Sequence, residues 1–412
     1  MKTAIIFLIF SNILMICFFL FMAAPSFFTW LGRIHMGRIN NYGAWQKKLE
    51  KSVSKQVEKN SRVPHGENDI VFLPYGSSKG RYAKNLQLWQ TASLLVAARE
   101  GGLLNKLRYE KTIKKMTDSD GEIKNDYRDP ALGILAFSLW PASINKSDEK
   151  SLKDFYLLVY KALEGFIGED DTLCYNKNKK SLRFVDSVGM VCPFLTDYAI
   201  KFECSKALEL ARRQIEDFYS YGMDKDSGLP FHCYDIKNHK KGGIIGWGRG
   251  CAWWAIGLID TYLTIKRTDS VEQKTEFKAF LNDFEEFLRR LIIDFTDKIL
   301  QAQSENGAWS RHLFFDSVPD SSATAVLAWF LIQSNKIKNR PACKEAAIAA
   351  LGYLKSVTRR DGRLDFSQGD TMGVGFYSSR LMPMPFSQGF CLRALYALND
   401  QERALLPALF DE

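Results

Sequence analysis

The chain has 412 residues, of which 46% are hydrophobic and 13% aromatic, so it can bury a large core and intrinsic disorder is excluded. Its formal net charge of +9 favours an anionic partner, such as a membrane surface, a nucleic acid or an acidic polysaccharide. Nucleic acid is disfavoured, because the sequence has no zinc-finger spacing, no aromatic RNA-binding signature and no compact basic helix.

The N-terminal segment is apolar almost throughout from Ala4 to Ala24, and Pro25 is expected to end it. A helix of this length rises about 30 Å, which matches the hydrocarbon core of a bilayer. The cleavage signal before Pro25 is poor, which favours a retained anchor over a removed signal peptide. We therefore expect residues 1–29 to form a single-pass membrane anchor.

The side of the membrane that the rest of the chain occupies stays open. Only Lys2 precedes the apolar segment and several basic residues follow it, which by the positive-inside rule would keep the globular part in the cytoplasm. Of the eight cysteines, Cys17 lies in the expected anchor, and the others form an odd set without metal-ligand spacing. We expect them to be buried thiols rather than a disulfide scaffold.

Residues 30–78 show little periodicity and are interpreted as a juxtamembrane helix and linker. Beyond them, apolar stretches alternate with charged amphipathic ones, at intervals of roughly 60 to 70 residues that fit one helix out and one helix back. The apolar stretches are Trp89–Ala98, Pro130–Trp140, Val191–Phe202, Cys251–Ile265, Ala323–Ile332 and Gly389–Leu398. Helices that are apolar all round lie inside a fold, and one-faced helices lie outside. The pattern predicts an all-α (α/α)6 toroid as a single domain over residues 79–412.

The segments before the predicted inner helices would meet at one end of such a ring. Asp129 precedes a proline at one helix start, which is typical of a capping residue, and a functional role is equally open. Asp186 is a lone carboxylate in an apolar run, where a charge is costly unless it is capped, paired or functional. We interpret Asp186 as functional. The segment from Asp320 to Ala325 is either a simple capped helix start or part of a site.

The richest of these segments surrounds Arg249, which lies between two glycines, with Trp247 before it and Trp253 after it. This pattern is a poor start for an ordinary helix. It favours a guanidinium held against a carboxylate, with tryptophan rings stacked on a sugar. His232 alone would more often be structural, but it is one of only five histidines and precedes this cluster.

The run Trp247-Gly248-Arg249-Gly250, followed by Trp253, resembles the signature of glycoside hydrolase families 88 and 105, the unsaturated glucuronyl and rhamnogalacturonyl hydrolases. The segments Asp320–Ala325 and Pro385–Leu395 are also similar to these families, and the similarity extends in order over about residues 80–400. The resemblance implies a six-hairpin fold without a metal or cofactor.

The resemblance also implies roles for single residues. Asp186 would be the catalytic acid and base, and Asp129 would support it. The positions that would bind an unsaturated uronic acid at the non-reducing end are His232, Trp247, Arg249 and Trp253. Proton transfer to C4 of the vinyl ether and addition of water at C5 would give a hemiketal that releases the rest of the sugar.

Some features depart from this pattern. Cys251 and Ala252 fill positions where the rhamnogalacturonyl branch has a polar residue and a glycine, and Ala252-Trp253 is closer to the glucuronyl branch. Most members of these families that carry such an N-terminal segment are expected to work outside the cytoplasm, and a membrane anchor is unusual for an enzyme that degrades lyase fragments. Two alternatives therefore remain: a membrane-anchored (α/α)6 protein of exopolysaccharide or capsule biosynthesis that acts on another uronic-acid glycan, and a glycan-binding protein without turnover. The presence of both aspartates favours an enzyme.

Overall fold

The computed structural model describes residues 2–58, 62–63, 84–104, 106–140, 146–267, 274–315, 318–371 and 373–410. Within these ranges the chain forms fourteen α-helices: α1 Lys2–Arg33, α2 Tyr42–Glu58, α3 Leu88–Glu100, α4 Lys106–Met116, α5 Ala131–Leu139, α6 Lys146–Glu164, α7 Val185–Phe202, α8 Ser205–Asp217, α9 Gly248–Lys266, α10 Thr275–Gln301, α11 Ser321–Ile337, α12 Pro341–Ser356, α13 Pro385–Ala397 and α14 Asp400–Arg403. The same ranges hold seven short strands: β1 Arg62–Val63, β2 Lys84–Asn85, β3 Leu182–Phe184, β4 Cys233–Asp235, β5 Lys241–Gly242, β6 Ser367–Gln368 and β7 Leu381–Met382.

Six helices form an inner ring in which each packs against the next: α3, α5, α7, α9, α11 and α13. The ring closes because α13 packs against α3. Each inner helix contains one of the apolar stretches identified in the sequence, and nearly all of their side chains are buried. The predicted all-α toroid of helical hairpins is therefore confirmed.

Glycines allow the inner helices to approach one another closely. A Cβ atom at Gly133 of α5 would lie 2.7 Å from the carbonyl oxygen of Met190 in α7. A Cβ atom at Gly189 of α7 would lie 2.6 Å from the carbonyl oxygen of Trp253 in α9. Real Cβ atoms do not come this near to a carbonyl, so larger residues at these positions would push neighbouring inner helices apart.

The charged amphipathic stretches form the outer layer. Helices α6, α8, α10 and α12 pack against the inner helices and bury one face each, and α4 buries Tyr109 and Met116. An outer helix returns the chain after each inner helix, so the inner helices all begin at the same end of the ring. This end carries the segments that the sequence analysis selected.

Helix α2 lies in the stretch that was interpreted as a juxtamembrane helix and linker, but it packs against α13 and α3. Its Trp45, Leu49 and Val53 follow one another at a four-residue spacing and are fully buried. This helix occupies the outer position next to α13, so the packed body begins at Tyr42 and not at residue 79. The sequence analysis expected a helix in this stretch but not its packing on the ring, because its apolar face is narrow. Residues 59–61 and 64–78 of the interpreted linker lie outside the described residues.

Helix α1 runs past Pro25 to Arg33, so this proline does not end the helix as expected. A proline removes one helical hydrogen bond and can be tolerated with a local bend. Arg33 attaches the end of α1 to the ring, because its Nε donates to Asp365 Oδ2 at 2.8 Å. Nothing in the described part of the chain qualifies as a helix long and apolar enough to cross a membrane. The membrane span expected within residues 1–29 is therefore not supported.

Candidate active site

Asp186 and His232 meet where the small sheet joins the inner ring. Strand β3 leads directly into α7, in which Asp186 is the second residue, and His232 immediately precedes β4. The backbone N–H of Val185 donates to the carbonyl oxygen of His232 at 2.9 Å, which fixes the two segments side by side. Antiparallel pairing of β3 with β4 continues this contact.

The Asp186 carboxylate has an unused hydrogen-bond acceptor although the side chain is mostly buried. Its Oδ2 atom is buried and receives no hydrogen bond, although His232 Nε2 lies 3.4 Å away. About 13% of the Asp186 side chain is exposed, so the group can still be reached from outside. It lies in the first turn of α7, where the helix dipole favours a negative charge. A carboxylate with an unused buried oxygen is suited to exchange a proton with a ligand.

Tyr377 orients the His232 ring. Its hydroxyl lies 2.9 Å from His232 Nδ1 and accepts a hydrogen bond from the Ile244 N–H at 3.1 Å. Burial, with a smaller contribution from the charge of Asp186, raises the pKa of Tyr377 to about 12, so the phenol keeps its proton. We infer that this proton is donated to Nδ1, which places the imidazole proton on Nε2, facing Asp186.

Trp247 and Arg249 both bind the segment 368–371, which begins with the last residue of β6. Trp247 Nε1 donates to Gln368 Oε1 at 2.8 Å, and its ring lies 4.6 Å from the His232 ring. Arg249 Nη1 donates to the carbonyl oxygen of Gln368 at 2.7 Å. Arg249 Nη2 donates to the carbonyl oxygen of Gly369 at 2.7 Å and to Thr371 Oγ1 at 3.0 Å. The buried guanidinium therefore holds main-chain oxygens, where the sequence pattern indicated a carboxylate partner.

Trp253 lies one turn further along α9, in the interior of the ring. Its ring contacts Trp89 of α3 at 5.9 Å and Phe386 of α13 at 5.0 Å, and it is almost fully buried. Trp89 also lies beside the Arg249 guanidinium, at 5.7 Å. Trp253 thus forms the floor below the Trp247 and Arg249 side chains. Cys251, one of the residues that depart from the family pattern, is fully buried, and burial raises the pKa of its thiol.

Asp129 lies at the start of α5, and its Oδ1 accepts a hydrogen bond from the Ala131 N–H at 2.7 Å. Burial raises the pKa of its carboxyl, while this hydrogen bond opposes the shift. The pKa of Tyr175 is raised by burial and by the charges of Asp129, Asp186 and Asp370. Three carboxylates therefore act on one phenol, which locates Asp129 in the same electrostatic environment as Asp186.

The structure connects five of the six predicted site residues by contacts, namely Asp186, His232, Trp247, Arg249 and, through Trp89, Trp253. Asp129, at the start of α5, is related to them through the effect of its charge on Tyr175. The structure adds residues that the sequence analysis did not select: Tyr175, Gln368, Asp370 and Tyr377. Gln368 is central, because its N–H also donates to Asp320 Oδ1 at 2.9 Å. The short segment around it has no periodic pattern, so only its contacts reveal its role.

A closed ring of helical hairpins, with aspartates and tryptophans at the starts of its inner helices, defines the class of six-hairpin glycosidases. The chain belongs to Glycosyl Hydrolase Family 88, whose family model matches residues 109–400. It is therefore a glycoside hydrolase, and the family resemblance found in the sequence is confirmed.

Solved structures share the fold at low sequence identity. A possible member of glycoside hydrolase family 105 from Salmonella enterica serovar Paratyphi A is 16% identical, with a TM-score of 0.64, and the match covers 85% of this chain and 93% of that chain. The unsaturated glucuronyl hydrolase from Bacillus sp. GL1, described as responsible for glycosaminoglycan degradation, is 15% identical, with a TM-score of 0.59 and coverage of 87% and 97%. An unsaturated glucuronyl hydrolase specific for heparin is also 15% identical, with a TM-score of 0.57 and coverage of 86% and 95%. No curated protein matches the chain in sequence.

Proposed function

We propose that the protein removes an unsaturated uronic acid from the non-reducing end of an acidic oligosaccharide, by hydration of the vinyl ether. Asp186 gives its proton to C4 of the sugar and then, as a carboxylate, takes a proton from the water that adds at C5. The hemiketal that results opens and releases the remaining sugar. The observation that carries this proposal is the buried Asp186 Oδ2 atom without a hydrogen-bond donor, at a reachable carboxylate in the first turn of α7.

The surroundings of Asp186 support this role. His232 faces the carboxylate with Nε2, and the buried Trp247 ring lies tilted against the imidazole, which holds it beside the acid. We assign Asp129 a supporting role, as a carboxyl whose pKa is raised by burial and whose charge acts on Tyr175 together with that of Asp186.

We assign Arg249 a supporting role in recognition. Both of its terminal nitrogens already donate to the segment 368–371, so it acts mainly by fixing Gln368 and Thr371 at the edge of the site. Trp253 supports the same arrangement from below, through its contact with Trp89. These two residues shape the site, whereas Asp186 and His232 lie where the sugar would react.

The test is incubation of the purified protein with unsaturated disaccharides made by lyase digestion of different acidic polysaccharides. The expected result is loss of the vinyl-ether absorbance with at least one of them. Binding without turnover for every unsaturated uronide would favour the glycan-binding alternative. Turnover of a saturated uronic-acid glycan alone would favour the biosynthetic alternative.

A further inference from the structure

A three-stranded sheet, in which β4 pairs with both β3 and β5, extends outward from the candidate active site. Its inner end pairs Phe184 with Cys233, next to Asp186 and His232. Its outer end pairs Leu182 with Asp235, about 7 Å away for strands that rise about 3.3 Å per residue. The turns at this outer end cover residues 176–181 and 236–240.

The two turns are held together as one surface. The N–H of Ile236 donates to the carbonyl oxygen of Ser181 at 2.8 Å, and the Ser181 hydroxyl donates to Asp235 Oδ2 at 2.9 Å. The N–H of Asp235 in turn donates to the carbonyl oxygen of Lys240 at 2.9 Å. These bonds order the backbone, so the side chains of both turns project from a defined frame.

This surface carries five exposed lysines. Lys177 lies over the Phe166 ring, and the other four are Lys179, Lys180, Lys237 and Lys240. We refer to residues 176–181 and 236–240 as the two lysine turns. Among the described residues, none of the four ammonium groups forms an ion pair with a carboxylate, whereas lysines of the outer helices, such as Lys153 and Lys206, do. The one acidic group between the turns, Asp235, accepts from Ser181 and from the Lys237 N–H. The positive charge of the surface is therefore not balanced within it.

We propose that the two lysine turns are a second binding surface for the oligosaccharide, which holds acidic groups of the sugars beyond the one at Asp186. This inference rests on the proposed function and adds to it that the preferred substrate carries more than one acidic group. An oligosaccharide that extends from Asp186 along the sheet would reach the two lysine turns. Exposed lysines without internal partners are suited to bind carboxylate or sulfate groups that vary in position, because their ammonium groups are mobile point charges.

Ionic screening limits what these lysines can affect. The Debye length at physiological ionic strength is about 8 Å, similar to the length of the sheet that separates the turns from the pair Phe184 and Cys233. The attraction between these lysines and the terminal sugar at Asp186 is therefore weakened by screening. A longer chain that reaches the turns would bring its acidic groups within direct contact, so the effect of the lysines should depend on substrate length.

The experiment compares Lys179→Gln/Lys240→Gln with Lys278→Gln/Lys338→Gln in the full chain. Lys278 in α10 and Lys338 after α11 are exposed at the opposite end of the ring, so the control removes the same charge elsewhere. Binding of an unsaturated disaccharide and of the corresponding tetrasaccharide is measured by calorimetry, in the background of Asp186→Asn so that no substrate is consumed. The ratio of tetrasaccharide to disaccharide affinity should fall roughly two- to tenfold in the first variant, because each exposed ion pair contributes little. It should be unchanged in the control.

The proposal predicts further that raising the salt concentration abolishes the difference between the variants. An unchanged affinity ratio in Lys179→Gln/Lys240→Gln would overturn it. An equal fall of the ratio in the control variant would also overturn it. So would a Lys179→Gln/Lys240→Gln variant that loses binding to anionic vesicles or duplex DNA but binds both oligosaccharides as before. Retained, length-dependent binding by a protein that turns over no unsaturated uronide would support the surface and contradict the proposed reaction, so the two can fail separately.

Discussion

Two aspartates at the starts of inner helices show how differently the same position can be used. Asp320, the N-cap of α11, is completely buried and accepts hydrogen bonds from the Ser322 N–H, the Ser322 hydroxyl and the Gln368 N–H. Asp186, in the first turn of α7, has a buried oxygen that accepts none. One carboxylate therefore stabilises the fold, and the other retains the capacity to bind or transfer a proton.

This difference cannot be read from the sequence. Both residues follow extended segments and lie at the starts of apolar helices, and in sequence both could be ordinary caps. The number of donors that reach each carboxylate separates them. For Asp320 one of these donors, Gln368, comes from a distant strand. The comparison predicts that Asp186 is important for turnover and Asp320 for stability, and substitutions can test this separation.

The largest effect is expected for Asp186→Asn. The amide keeps the shape of the side chain but cannot donate or accept the proton, so turnover of an unsaturated uronide should fall by about 10² to 10⁴. The melting temperature should change little, because the buried Oδ2 atom accepts no hydrogen bond that the substitution would remove. The matched control is Asp226→Asn, at an exposed carboxylate in a turn, which should leave both quantities unchanged. Near-normal turnover in Asp186→Asn would remove this residue from the proposed mechanism.

The opposite result is expected for Asp320→Ala. The Ser322 and Gln368 N–H groups would lose their acceptor in a buried setting, which should lower the free energy of unfolding by about 2–4 kcal/mol. Asp320→Asn keeps the Oδ1 acceptor and should lose less. Denaturant unfolding of both variants measures the difference. If Asp320→Ala were as stable as the wild type, the contrast between the two aspartates would not hold.

A smaller effect is expected for Tyr377→Phe, which removes one hydrogen bond from His232. The side chain of His232 should then populate both neutral tautomers, and kcat should fall by about two- to tenfold with little change in KM. The ¹⁵N spectrum of histidine-labelled protein reports the tautomer directly, and His232→Gln assigns the signal among five histidines. Tyr221→Phe is the control, because that ring stacks on His239 without a hydrogen bond to it. An unaltered His232 signal in Tyr377→Phe would show that the hydroxyl does not orient the ring.

The smallest effect concerns Asp129 and has an unusual sign. Burial raises the pKa of its carboxyl in the folded protein, so between the unfolded and folded pKa values the folded state binds more protons and stability falls as the pH rises. Asp129→Asn removes this penalty and keeps an acceptor for the Ala131 N–H. It should therefore raise the melting temperature at neutral pH, and the gain should vanish as the pH falls into the range where a free aspartate is protonated. Scanning calorimetry over pH measures this, and a lower melting temperature at neutral pH would contradict it.

The sequence predicted well those features that depend on local pattern. Stretches such as Cys251–Ile265, apolar on all sides, can be stable only inside a protein, and their regular spacing indicated a ring of hairpins. Asp186 was selected because an isolated charge in an apolar run is costly unless it is capped, paired or functional. In contrast, the apolar face of α2 is narrow, and the structure shows that this helix belongs to the outer layer.

Only the tertiary structure decided how these parts are used. The pattern around Arg249 indicated a guanidinium held against a carboxylate, whereas in the structure the guanidinium donates to the carbonyl oxygens of Gln368 and Gly369, far away in the chain. Likewise, the orientation of His232 depends on Tyr377, in a segment without periodic pattern. Periodicity follows from the contact of one face with a core, which each helix carries in its own sequence. Hydrogen bonds between distant segments arise only when the ring closes, because until then their donors and acceptors are bound to water.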